Sequence, residues 1–201
     1  MKAHMAGALL LATAMLPASG LAQAELPQPV PEVIPGFTVR LLAPVIVPTA
    51  PALSAPTALA FGPGSTASGP DLYVTTIDAT ALLGGETTGS GGGVVRLSLT
   101  WTPLGPLTTG IAIYASGFSQ PLGLVFDPTN AGVLYVSDSH ANGSTGRTDG
   151  RITRLASGQS SQSQGTVIVD GLPNGRHNTN HLRFGPDGRL YIANGNTNDA
   201  G

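Results

Sequence analysis

The stretch GLPNGRHNTNHLRFGPDGRLYIANGNTN, residues 171–198, contains the strongest hairpin signal in the chain and its densest set of polar side chains. Residues 182–184 and 190–193 are predicted to be short strands, and Asp187-Gly188 between them supplies the positive φ angles that a tight turn needs. Polar segments precede and follow this predicted hairpin. They should therefore lie beside each other on one stiff β-unit, which is a favourable place for a binding or catalytic site.

The same hairpin pattern occurs three times along the chain. Each time, an apolar segment that ends in Phe, one further residue and Pro is followed by a second segment that contains Leu-Tyr. The first segments are PTALAFGP from 56, PLGLVFDP from 121 and NHLRFGP from 180, and the second are DLYV from 71, VLYV from 133 and RLYI from 189. The equivalent aromatic residues are Phe61, Phe126 and Phe184, and Tyr73, Tyr135 and Tyr191. Internal repetition on this scale is the signature of a repeat fold.

The first two copies continue in parallel. VVRL from 94 and ITRL from 152 supply a third strand, and IAIYASGF from 111 and TVIVDGL from 166 supply a fourth. Four antiparallel strands in a unit of about fifty residues form the blade of a β-propeller. The sequence therefore predicts an all-β fold, a partial β-propeller with two full four-stranded blades and part of a third. A β-sandwich is the alternative fold, but it does not require the same four-strand order to recur.

The composition excludes one class of function. The chain has 201 residues, a formal net charge of -2, and nine Lys and Arg scattered along its length. A nucleic-acid binder needs a basic patch, so we do not expect a nucleic-acid partner. The chain has no Cys, so sheet packing or bound ligands must supply its stability without disulfides.

The N-terminal residues have the features of an export signal. Lys2 and His4 precede an apolar run at 5–16, and Ala22-Gln23-Ala24 fits the small-residue rule for signal-peptide cleavage. The alternative, an uncleaved membrane anchor, is weaker because the run is too short to span a bilayer comfortably. We expect cleavage after Ala24, no stable membrane span in the mature chain, and a periplasmic or secreted protein.

The rest of the chain divides by composition. The segment ELPQPVPEVIP is rich in proline and should be an extended linker, and GFTVRLLA after it is the first strand candidate. Gly-rich and Ser-rich runs at 84–93 and 137–150 are predicted to be flexible connections between strands. The predicted regions are a signal peptide at 1–24, a linker at 25–35 and an incomplete propeller domain at 36–201.

These motifs resemble a known family. The hairpin LRFGPDGRLYI with His177 before it, and the opening GFTVRLLA followed by PTALAFGP, are similar to the glucose/sorbosone dehydrogenase family of exported six-bladed propellers. The resemblance covers the chain from residue 36 onward. It implies that the chain is the N-terminal part of a six-bladed propeller. It also implies an oxidoreductase that oxidises a sugar or related alcohol with pyrroloquinoline quinone as cofactor.

The resemblance also implies roles for single residues. In catalytic members, a histidine just before this hairpin takes the proton of the sugar hydroxyl while hydride passes to the quinone, and His177 matches that position. Imidazole suits the role because its pKa lies near neutrality. Many catalytic members carry Gly-Asp after the second strand, whereas this chain has Gly195-Asn196. The alternative for His177 is a solvated loop residue.

The asparagines of the two polar segments permit more than one interpretation. Asn178, Asn180 and Asn196 are candidates for lining a substrate site, although asparagine also serves turns and left-handed backbone positions. Their oxygens, with Asp199, are also suitable ligands for calcium. Two further functions therefore stay open: a non-catalytic propeller that binds a ligand or protein, and a metal-dependent lactonase-like hydrolase. Similar strand patterns also occur in NHL-repeat propellers.

Overall fold

The computed structural model describes residues 54–64, 69–79, 91–103, 105–142, 147–174 and 179–195. The chain divides into two units, Met1–Arg40 and Leu41–Gly201, and every described residue belongs to the second. Strands make up most of the described residues. They are β1 (Ser54–Gly62), β2 (Asp71–Asp78), β3 (Gly92–Thr102), β4 (Gly105–Phe118), β5 (Gln120–Phe126), β6 (Leu134–Asn142), β7 (Arg147–Leu155), β8 (Thr166–Leu172), β9 (Thr179–Phe184) and β10 (Leu190–Asn194).

The strands form three antiparallel sheets in chain order. Sheet 1 has the order β1-β2-β3-β4, sheet 2 has the order β5-β6-β7-β8, and β9 pairs with β10 as a hairpin. This arrangement confirms the predicted fold class, two complete four-stranded blades and the first hairpin of a third. The described residues include one 3-10 turn, Gln162–Gln164, and no α-helix. No helix in this part of the chain is therefore long and apolar enough to cross a membrane.

The three hairpins share one register. Phe61 lies opposite Leu72, Phe126 opposite Leu134, and Phe184 opposite Leu190. These are the phenylalanine and the leucine of the repeated sequence in each case. The prediction that the three phenylalanines are equivalent is confirmed, because each lies on the first strand of its sheet opposite the leucine of the repeat.

Neighbouring sheets pack through their first strands. β5 lies against β1 and β2, and β9 lies against β5 and β6. A buried apolar cluster joins sheets 1 and 2, with Val94, Ala115 and Phe118 on one side and Leu134 and Leu155 on the other. Innermost strand against innermost strand is the packing of successive propeller blades.

An aromatic contact recurs at each junction between sheets. Tyr73 of sheet 1 meets Phe126 of sheet 2 with ring centroids 4.7 Å apart, and Tyr135 of sheet 2 meets Phe184 of the hairpin at 5.4 Å. Both pairs are edge-to-face, with planes inclined at 69°. Edge-to-face pairs add a favourable quadrupole term to the burial of the rings. The tyrosine and phenylalanine that recur in the sequence therefore form the contact between neighbouring blades.

Sheets 1 and 2 have a second connection at their outer strands. The β7–β8 loop reaches β4, where the Ser116 amide donates a hydrogen bond of 3.1 Å to the Ser160 carbonyl. Ser116 and Ser161 form a parallel bridge beside it.

The prediction of a flexible connection at 137–150 is wrong for most of that segment. β6 continues to Asn142 and β7 begins at Arg147, and these two residues pair across the ladder. Ion pairing explains the difference, because Asp138 in β6 is fully buried against Arg151 in β7 and holds the two strands together despite their Gly and Ser content. Only residues 143–146 lie outside the described part.

The turn of the β9–β10 hairpin differs in detail from the predicted one. It spans the five residues between the predicted strands, and of Asp187 and Gly188 only Gly188 has a positive φ, of 74°. Asp187 instead stabilises the turn with its carboxylate, which accepts hydrogen bonds from the Arg189 amide (3.1 Å) and the Tyr191 hydroxyl (3.1 Å).

Several predictions concern residues outside the described part. The signal peptide at 1–24, the linker at 25–35 and the strand candidate at 36–43 lie there, as does most of the connection predicted at 84–93.

Candidate functional site

The candidate site lies at one edge of the sheets, called here the site edge, where β5 and β9 begin and β6 and β10 end. Antiparallel pairing creates this edge, because the start of one strand faces the end of its partner. Gln120 pairs with Ser139 in sheet 2, and Thr179 pairs with Asn194 in the hairpin. The polar segments before and after the hairpin therefore reach the same edge.

Asp138 is the buried charge of the site edge. Its carboxylate accepts hydrogen bonds from Arg151 Nε (2.9 Å) and Nη2 (2.5 Å), and from the Ser119 amide (3.2 Å). The two-point contact with a guanidinium is the strongest form of side-chain ion pair. Asp138 therefore attaches the β6–β7 ladder to Ser119, in the connection between β4 of sheet 1 and β5 of sheet 2. The Arg151 guanidinium neutralises its charge.

Two asparagines hold the loop that leads to the hairpin. Asn174 Nδ2 donates a hydrogen bond of 2.9 Å to Ser139 Oγ in β6, and Asn194 Nδ2 donates one of 2.9 Å to the Pro173 carbonyl. This loop is thus attached both to sheet 2 and to the end of β10. Asn174 Oδ1 is buried and makes no hydrogen bond within the described part of the protein. A buried acceptor in this state is costly, so a hydroxyl or amine donor of a ligand would bind it favourably.

His140 is engaged in contacts across sheet 2. Its Nδ1 donates a hydrogen bond of 3.1 Å to the Asp149 carbonyl, and its Nε2 lies 3.4 Å from Asp170 Oδ1. Both ring nitrogens therefore face oxygen atoms of β7 and β8. His140 therefore ties β6 to β7 and β8.

Of the predicted site residues, Asn180 alone lies in the described part of the chain. Asn180 lies in β9, one residue after the Thr179–Asn194 pair. His177, Asn178 and Asn196 lie outside the described residues. Thr179, which follows Asn178, and Gly195, which precedes Asn196, are described, and both lie at the site edge.

The described residues contain no group of three or more His, Cys, Asp or Glu that could hold a metal ion. A quinone carboxylate needs a cation, and Arg151, the guanidinium described at the site edge, is paired with Asp138. The described residues therefore do not form a calcium site or a quinone site by themselves.

The groups with perturbed pKa values lie away from the site edge. Burial raises the pKa of Tyr73 and of Tyr114, which pack together with Phe126 at the joint between sheets 1 and 2. The Thr129 hydroxyl and amide, by donating to the carboxylate, lower the pKa of Asp127 in the β5–β6 turn at the opposite edge. These shifts are structural consequences of packing and turn formation.

Sequence reasoning missed three residues of the site edge, Asp138, Ser139 and Asn174. The sequence did contain a signal for Asp138. Arg151 follows it at a sequence spacing that places the two side chains on one face of a hairpin with a short loop. Ser139 and Asn174 carried no comparable signal, since their hydrogen bond joins residues 35 positions apart.

Comparisons with known proteins find similarity among solved structures. No family model matches the chain, and no curated protein matches it. Among solved structures, the chain is similar to the crystal structure of a protein from Thermus thermophilus described as an oxidoreductase (glucose dehydrogenase), with 22% sequence identity and a TM-score of 0.46. The alignment covers 73% of this chain and 38% of that one, so the chain spans well under half the length of that protein.

Proposed function

We propose that this chain is part of an exported propeller oxidoreductase that oxidises a sugar or a related alcohol, with His177 as the general base and pyrroloquinoline quinone as the electron acceptor. The observation that supports the proposal best is the shared site edge. Thr179 and Asn194 pair directly, and Asn194 donates to the Pro173 carbonyl. The loop that contains His177 therefore starts and ends beside the end of β10.

The proposed chemistry requires the alcohol to lose a proton from oxygen and a hydride from carbon. His177 would accept the proton on an imidazole nitrogen, and the carbon–oxygen single bond would become a carbonyl as the hydride leaves. The quinone, when bound, supplies the hydride acceptor. The residues that would hold it are not among the described ones.

Substrate recognition in this proposal uses amide groups. Asn174 Oδ1, buried without a partner among the described residues of the site edge, suits a second hydroxyl of a sugar. Asn178, Asn180 and Asn196 are the other proposed contacts. Sugars present many hydroxyls, and neutral amides both donate and accept hydrogen bonds.

Dye-linked oxidation of sugars tests the proposal. The protein reconstituted with pyrroloquinoline quinone and calcium should reduce a dye when a sugar is added, and His177→Ala should lower the rate by about 10² to 10⁴. His181→Ala is the matched control, because His181 is exposed on β9 and should leave the rate unchanged. The proposal fails if the wild type binds no quinone or if His177→Ala keeps full activity.

A non-catalytic propeller that binds a sugar or another ligand is the second candidate function. It is favoured by Asn196, since an amide does not stabilise an imidazolium as a carboxylate does. Calorimetric binding of a sugar without turnover in the quinone-loaded protein would support this function over the oxidoreductase.

A lactonase-like hydrolase is the third candidate, and it requires a metal ion bound by acidic residues. The described residues offer no such group. Hydrolysis of a lactone that a chelator abolishes and added calcium restores would establish it.

A further inference from the structure

A β-bulge recurs at the same step of all three hairpins. One residue of each first strand is skipped in the register, and these residues are Thr57, Leu122 and Asn180. The residue before the bulge pairs each time with the fourth residue after the leucine of the repeat, in the pairs Pro56–Thr76, Pro121–Asp138 and Thr179–Asn194. Bulges re-aim side chains and are common beside functional sites. The shared step therefore identifies equivalent positions at the site edge.

Asp138 and Asn194 are equivalent by this register, and both bind the chain that enters their own hairpin. The Asp138 carboxylate accepts a hydrogen bond of 3.2 Å from the amide of Ser119, in the connection that leads into β5. Asn194 Nδ2 donates one of 2.9 Å to the carbonyl of Pro173, in the connection that leads into β9. In both sheets, the end of the second strand thus holds the incoming backbone.

The same register gives His177 the place that Ser119 has in sheet 2. Ser119 comes two residues before Pro121, and His177 comes two residues before Thr179. Pro121 and Thr179 occupy the same step of their ladders, opposite Asp138 and Asn194. His177 lies outside the described residues. By sequence position it is nevertheless the equivalent of the residue whose amide the carboxylate at position 138 binds.

The contact with Pro173 fixes which way the Asn194 amide points. A carbonyl oxygen only accepts hydrogen bonds, so the group 2.9 Å from the Pro173 carbonyl must be Nδ2. Oδ1 therefore lies on the other side of the planar amide. An amide both donates and accepts, whereas a carboxylate only accepts. The asparagine at position 194 can thus bind two points of one connection, a carbonyl and an amide.

We propose that Asn194 is a positioning residue for His177. Its Nδ2 holds the Pro173 carbonyl, and its Oδ1 accepts the backbone amide of His177, as Asp138 accepts that of Ser119. This inference rests on the proposed function, in which His177 is the general base, because a base must be held within hydrogen-bond reach of the proton that it takes. Asn194 acts through the backbone of His177 and does not touch the substrate.

Hydrogen exchange of the His177 amide, followed by nuclear magnetic resonance in the full chain, tests the contact. Asn194→Ala should speed this exchange roughly threefold to tenfold, the factor that one neutral hydrogen bond supports. Asn194→Asp keeps an acceptor, so its exchange should be no faster than that of the wild type. Asn130→Ala is the matched control, because Asn130 accepts from the Gly132 amide in the turn at the opposite edge. It should leave the His177 amide unchanged.

Two results of this experiment would overturn the contact. One is an unchanged exchange rate in Asn194→Ala, and the other is an Asn194→Asp variant that exchanges as fast as Asn194→Ala. Acceleration by Asn130→Ala equal to that by Asn194→Ala would show a general loosening of the protein and would also overturn it.

Dye-linked sugar oxidation tests the positioning role separately. In the protein loaded with pyrroloquinoline quinone and calcium, Asn194→Ala should lower kcat roughly 10- to 100-fold, because a small misplacement of a catalytic group is costly. KM should not change, and Asn194→Asp should restore most of kcat. An active wild type whose kcat survives Asn194→Ala would overturn the positioning role alone. A wild type that oxidises no sugar would instead refute the proposed function, and with it this role, even where the exchange result holds.

Discussion

Buried and exposed ion pairs of the same type occur in this protein, and they should differ in their contribution to stability. Asp138 is fully buried and binds Arg151 at two points, while Asp187 lies 3.7 Å from Arg189, whose side chain is 82% exposed. Removing one partner of a buried pair leaves an unpaired charge in a medium that solvates it poorly.

We therefore expect Asp138→Ala to lower the free energy of unfolding by about 3 to 5 kcal/mol. Arg189→Ala, which removes the solvated partner of Asp187 and keeps the hydrogen bonds of the turn, should lower it by less than about 1 kcal/mol. Urea unfolding of the two variants measures the difference. Equal losses would show that Asp138 does not hold the β6–β7 ladder as described.

At the scale of single residues, the sequence predicted the repeated packing positions better than the contacts between distant residues. The tyrosine and phenylalanine of the repeat were identified as equivalent because they recur with apolar neighbours at nearly constant spacing. Asn174 and Ser139 were not identified, since a hydrogen bond between distant positions leaves no periodic trace. The buried oxygen of Asn174 depends on the packing around it, which composition does not encode.

At the scale of elements, the joint between sheets 1 and 2 requires a glycine at position 62. A Cβ atom there would lie 2.1 Å from the Phe126 ring, closer than two carbon atoms can approach. Gly110 in β4 is a suitable comparison, because a Cβ atom there would meet only Ser98 at an ordinary 3.6 Å.

Gly62→Ala should therefore displace the Phe126 ring and lower the free energy of unfolding by about 1 to 3 kcal/mol. Gly110→Ala should instead raise it by about 0.4 to 1 kcal/mol, because alanine restricts the unfolded chain. Thermal unfolding followed by near-ultraviolet circular dichroism would report both stability and the aromatic environment. A neutral Gly62→Ala would mean that the two sheets are less closely packed than in this structure.

The strands themselves were predictable because apolar and polar residues alternate along them and Gly, Pro or Asp marks their ends. All ten described strands overlap the predicted ones. Only the distal half of the β6–β7 ladder was missed, because its Gly, Ser and Asn residues resemble a loop and the Asp138–Arg151 pair that stabilises it depends on the register of two strands. Local propensity yields to tertiary contacts at such places.

At the scale of the whole molecule, export is the prediction that most affects function. An apolar run after Lys2 and His4, followed by Ala22-Gln23-Ala24, predicts removal of the first 24 residues. Mass spectrometry of the exported protein should find a new N-terminus near Glu25. Replacing Ala22 and Ala24 with tyrosine should block processing, because the signal peptidase site accepts small residues. An intact N-terminus on cytoplasmic wild-type protein would contradict export.

The fold as a whole was more predictable than the site it carries. Repetition of one pattern, with the same strand order in each copy, distinguishes a propeller from a sandwich without any single decisive residue. The candidate site depends instead on two loops, of which the described ends meet at the pairing of Thr179 with Asn194. Their proximity follows from the hairpin, but the identity of a ligand depends on side-chain positions that the pattern leaves open.

The link from Ser116 to Ser160 and Ser161 has a mechanical consequence. Two rigid bodies held at one point can swing about it, whereas two bodies held at separated points move as one. Sheets 1 and 2 are held both by the aromatic joint at their inner strands and by this link at their outer strands, so they should open only together. The β9–β10 hairpin is held by its inner contacts with β5 and β6. Its amide protons should therefore exchange with solvent sooner than those of the first two sheets, and a ligand bound at the site edge would slow that exchange by immobilising the hairpin.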